Sequence, residues 1–133
     1  MPLTAANNTA QLTITSTDAN GNTSINRGAG NPTLNGTFSE YVLNQNIAIG
    51  TTLLTTGPVF NLYIKNNAAP GSGITLQVLG TLSGGASQIL ALLQPGGICL
   101  VWNVVNNVAG SGYTSVSVVA AGGVCPVEYI FGG

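Results

Sequence analysis

"PVFNLYIKN", residues 58–66, decides the fold. Phe60, Leu62 and Ile64 alternate with Asn61, Tyr63 and Lys65, so in an extended chain three large apolar groups share one face. "GITLQVLG" (73–80) repeats the period, setting Ile74, Leu76 and Val78 against Thr75 and Gln77. It recurs in Ile98, Leu100 and Trp102, in Thr114, Val116 and Val118, and in Val127, Tyr129 and Phe131 opposite Glu128. Each of these runs is expected to be a strand that buries one side.

Working outward, Gly-, Pro- and Asn-rich turns such as "APGSG" (69–73), "SGGA" (83–86) and "QPGG" (94–97) cut the chain into pieces of strand length. "ASQILALL" (86–93) has helical propensity in its Ala and Leu, but it lies between two Gly-rich turns and reads as a strand. From residue 36 onward the candidate strands are 36–44, 47–54, 58–66, 73–80, 87–93, 98–103, 113–119 and 124–131, and "QLTIT" (11–15) is a further pairing strand before them. Short strands at close, even spacing predict an all-β chain: a single jelly-roll-like β-sandwich of about eight strands. Residues 36–133 form that domain, and residues 1–35, mostly Thr, Asn, Ala and Gly, form an extended N-terminal arm expected to lie against a neighbouring surface or subunit.

Charged residues are 4% of the 133-residue chain, against about 25% in an ordinary domain. The whole inventory is Asp18, Arg27, Glu40, Lys65 and Glu128, and the formal net charge of −1 offers almost no self-repulsion between copies. Two cations cannot neutralise a row of phosphates, so no nucleic-acid partner is expected. The apolar runs fall short of the roughly 20 residues of a spanning helix, so no membrane partner is expected either. "MPLTAANNTA" lacks the basic start and apolar stretch of a secretory leader, and the protein is expected to be made in the cytoplasm.

The chain has no histidine, which removes the commonest general base and metal ligand. Glu40 and Glu128 are the one conceivable carboxylate pair for glycoside hydrolysis, with lone acids on exposed strands as the simpler reading. Cys99 and Cys125 stand far outside zinc or redox spacing. Buried free thiols are the favoured reading, beside an internal disulfide or a link between subunits. Cys99, in "QPGGICLVWN" (94–103), has no base or cation beside it and reads as structural. Asp18, Asn20 and Asn22 mimic the start of a calcium loop but lack its distal Glu, and Asn-Gly explains them as a turn. The sequons at Asn7, Asn22 and Asn35 are read as coincidence. Sugar stacking would use Trp102, Tyr41, Tyr63 or Tyr113, although alternation with Ile98 and Leu100 assigns Trp102 to the core. No catalytic residue, cofactor site or metal site is expected.

The order "FNLYIKNNAAPGSGITLQVLGTLSGGASQILALLQPGGICLVWN" (60–103), then "YTSVSVVAAGG" (113–123) and "VEYIFGG" (127–133), resembles small jelly-roll virion proteins of tailed bacteriophages, the decoration or cement class. The "PGG-apolar-W" turn and the "EYIFGG" ending carry most of that likeness. The resemblance implies a non-enzymatic capsid decoration protein that binds the major capsid protein or another virion protein, often as a trimer, and braces the lattice in the virion. Its rivals are a tail, neck or fibre component, a carbohydrate-binding β-sandwich module and, last, an acid-dependent hydrolase.

Overall fold

A computed structural model describes the backbone of residues 2–11, 15–17, 23–26, 33–101 and 112–132, and side chains at Val42, 44–101 and 112–132. The described residues form strands and turns: β1 (Pro2–Gln11), β2 (Thr15–Thr17), β3 (Thr23–Asn26), β4 (Thr33–Ile47), β5 (Gly50–Val59), β6 (Asn61–Asn66), β7 (Thr75–Thr81), β8 (Ser87–Leu93), β9 (Ile98–Val101), β10 (Tyr113–Ala121) and β11 (Cys125–Gly132). They build one sheet in the order β1-β4-β11-β6-β9, a second in the order β5-β10-β7-β8, and a separate β2-β3 pair. The all-β sandwich read from the alternation is therefore present.

Four antiparallel pairings organise the two sheets: β4 with β11, β5 with β10, β6 with β9, and β7 with β8. They nest one inside the next, with β7 and β8 joined by the innermost turn. Along the chain, β4, β6, β9 and β11 go to one sheet and β5, β7, β8 and β10 to the other, so all crossings but β7–β8 pass between layers. Residues Pro2–Gln11 add β1 to the outer edge of β4, pairing with Thr33–Glu40.

The core lies between the layers. Leu62 and Ile64 of β6, Leu76 and Val78 of β7, Val116 and Val118 of β10, and Val127, Tyr129 and Phe131 of β11 are buried together. Their alternation with partly exposed neighbours is what "LYI", "LQV" and "VEYIF" dictate, because successive side chains leave opposite faces of a pleated strand. Tyr129 and Phe131 stack with ring centroids 4.8 Å apart.

The structure corrects three local expectations. Candidate 58–66 is divided at Phe60, which forms a bend between β5 and β6 where the chain changes sheet, so Phe60 is half-buried and Asn61 is buried. Thr114 is exposed while Val116 and Val118 are buried. On β9 the inward face is the opposite of the expected one: Cys99 is buried, whereas Ile98 is 53% and Leu100 40% exposed. The alternation that assigned Trp102 to the core together with Ile98 and Leu100 therefore loses its basis; Trp102 lies outside the described residues. "QLTIT" falls across the end of β1 and the start of β2, with its middle also outside them.

Candidate docking surface

Among the described residues, those singled out for chemistry are not drawn into one place. Glu128 stands opposite Lys65 on the outer face of the first sheet, and the backbone of Glu40 is registered opposite Phe131; the Glu40 side chain lies outside the described residues. Asp18, Asn20 and Asn22 lie outside the described residues, as do the side chains of Asn7, Asn35 and Tyr41. Tyr63 is half-exposed on the outer face, and Tyr113 is buried with its hydroxyl 3.3 Å from Gln88 Oε1.

Both cysteines are free and buried. β6 lies between β9 and β11, and the shared partner Ile64 sets Cys99 level with Tyr129, four residues from Cys125. Two strand spacings alone are about 10 Å, beyond the roughly 7 Å between Cα atoms that a disulfide spans. An internal bridge is therefore ruled out by the register, and burial removes both thiols from a surface link. Burial pushes each thiol up from its ordinary 9.0. Tyr113 is raised from 10.0 chiefly by burial and secondarily by the neighbouring Cys99.

Two outcomes follow. In native protein both thiols should react with a thiol reagent far more slowly than in denaturant, and migration should be identical with and without reductant; a dimer band lost on reduction would contradict this. As pH rises, the unfolded chain releases these protons before the folded one does, so stability is complete below pH 9.0 and declines above it. Melting temperature should be nearly flat between about pH 6 and 8, where no histidine titrates, and fall beyond the thiol range.

A buried node that periodicity did not reveal sits at one end of the sandwich. Asn66, fully buried, donates from Nδ2 to the carbonyls of Ile74 (3.0 Å) and Leu93 (3.1 Å). Its Oδ1 accepts from the Ala68 N–H (2.9 Å) and from Cys125 Sγ (3.2 Å). Its backbone is bonded to Gly96 and Gly97 of the β8–β9 turn. One amide thus ties the start of β7, the end of β8 and the start of β11 to β6.

The exposed chemistry is apolar. β8 and β9 are the last strands of their sheets on the same side of the sandwich, linked by the Gln94–Gly97 turn. Ile89 and Leu92 are 63% and 61% exposed on the outer face of β8, and Ile98 and Leu100 are exposed on the outer face of β9, in the other sheet. A register shift between Val78 and Leu79 gives β8 an extra residue, so Ile89 pairs with Leu79 and Leu92 with Gln77, both outward. Neither "SQILALL" nor "ICLV" contains a charge or a proline, the usual guards of a sheet edge. No family model, curated protein or solved structure matches the chain.

Proposed function

We propose that the sandwich is a single jelly roll and that the protein is a structural virion component, a decoration or cement protein that binds a phage capsid lattice by non-covalent contacts. The nested pairings support the fold reading: numbering β4 to β11 as one to eight, the sheets run 1-8-3-6 and 2-7-4-5, the order of a ribbon folded in half and rolled up. Jelly rolls serve in viral capsids and also in lectins, so the fold alone does not choose a function.

The observation that carries the choice is exposed apolar residues on two unguarded neighbouring edge strands, Ile89 and Leu92 on the outer face of β8 and Ile98 and Leu100 on the outer face of β9. Apolar contact stabilises by about 25 cal/mol per Å² removed from water, and a lattice multiplies a weak single contact through repetition. The protein partner is the major capsid protein or another virion protein, with a trimer as the favoured lattice-bound form. Its role is contact, not catalysis.

The test is purification of the particle. The protein should copurify with heads in a stoichiometry set by lattice symmetry, and attachment should survive molar salt because few ion pairs contribute. Release by moderate salt, a handful of copies per particle, or glycan binding by the isolated protein would each defeat this reading; the last two favour the tail and sugar-binding alternatives respectively.

A further inference from the structure

We infer that the outer face of the β1-β4-β11-β6-β9 sheet pairs with the same face of a second copy about a twofold axis. Lys65 and Glu128 are the only acidic or basic side chains among those described, and the register sets them directly opposite on adjacent strands of this face. The next outward level holds Tyr63 opposite Ile130. Ile98 and Leu100 flank both levels on β9, registered with Lys65 and Tyr63.

This arrangement is complementary to itself. Face-to-face packing requires the axis to lie in the plane of contact. An axis along the strands, midway between β6 and β11, places Lys65 over Glu128 of the second copy and Glu128 over its Lys65. The same rotation sets Tyr63 over Ile130 and carries Ile98 and Leu100 across to the second copy's β4. An axis across the strands would set lysine over lysine and glutamate over glutamate, so the charges select one register and reject the other.

Four strands about 4.8 Å apart and six residues about 3.4 Å apart make a flat face of about 400 Å². That is half of the roughly 800 Å² per partner in a standard interface, so the pair is reversible and forms at micromolar concentrations and above. Ile98 and Leu100 belong both to this face and to the edge residues proposed for lattice contact, so a paired copy cannot present them elsewhere; pairing is a state of the free protein. The inference does not rest on the lattice reading, and it is tested without particles.

The experiment is sedimentation velocity on the purified chain at about 100 μM, well above a micromolar Kd. The parent should show a reversible dimer. Lys65→Glu gathers four negative charges at the contact and Glu128→Lys four positive ones, and each should weaken pairing by about 100-fold. Mixed in equal amounts, the two variants should form a heterodimer, and the double exchange Lys65→Glu/Glu128→Lys should restore the homodimer. Leu100→Asn, neutral and on an exposed position, should weaken pairing by about tenfold with folding intact and serves if a charge variant misfolds. A parent that sediments as one copy or only as three, single variants that pair like the parent, or a mixture without heterodimer would overturn the inference.

Discussion

Asn66→Leu is expected to remove about 3–9 kcal/mol of folding stability, because it strands the carbonyls of Ile74 and Leu93 and the N–H of Ala68 at about 1–3 kcal/mol each. Domains of this size hold about 5–15 kcal/mol in total, so the variant should be near the edge of folding. Asn66→Asp should be worse still. A carboxylate cannot donate, and it would bring an unpaired charge against two carbonyl oxygens at a site with no exposure. Cys125→Ala provides the contrast: it gives up one weak S–H donor and leaves the amide's three backbone bonds in place, so about 1 kcal/mol is expected. Equilibrium urea unfolding of the three variants checks the ranking. An Asn66→Leu protein within 1 kcal/mol of the parent would mean that the node does not hold the sheet ends together.

Gly80→Ala should cost about 2–3 kcal/mol, near the upper end for overpacking a filled core. Gly80 is buried on β7, and an added Cβ would sit 2.7 and 2.8 Å from two ring carbons of Tyr113. The ring cannot readily retreat. Tyr113 is itself buried, its hydroxyl is held by Gln88, and its backbone carbonyl fills the space where a side chain at Gly57 would go. A loss of about 10 °C in melting temperature is expected for a domain of this length. Shortening the ring in the double variant Gly80→Ala/Tyr113→Leu should recover part of the loss relative to the sum of the single changes, since the two sites share one volume. Strict additivity in that cycle would show that the clash is relieved elsewhere.

The strands were legible where polar and apolar residues alternate. "LYIK", "TLQV" and "PVEYIF" each contain a polar or bulky-polar position that marks the outer face, and the structure buries the apolar set of each. "ICLV" has no such marker: all four side chains are apolar, so the period is visible but its phase is not, and alternation alone points to the wrong face. The break at Phe60 was hidden because β5 and β6 follow each other after one residue, with no glycine or proline between Val59 and Asn61 to announce a change of sheet. Asn66 was invisible for another reason. In "KNN" it looks like turn chemistry, and its importance comes from three loops that meet only after residues 74, 93 and 125 have been brought beside it. The apolar strip on β8 depended on a bulge that turns Ile89 and Leu92 to the same side, a feature that strict alternation cannot represent.

The place of β11 has a consequence for biosynthesis. It is the last described strand to leave the ribosome, yet it occupies the middle of its sheet, between β4 and β6. Until it emerges, the edges of β4 and β6 that it will bridge leave backbone N–H and C=O groups unpaired in the nascent chain. Such long-range closure makes for slow folding and invites association of unfinished chains. Translation that stalls before residue 125 should therefore yield aggregates, whereas one that completes the final strand releases a chain able to close both layers at once.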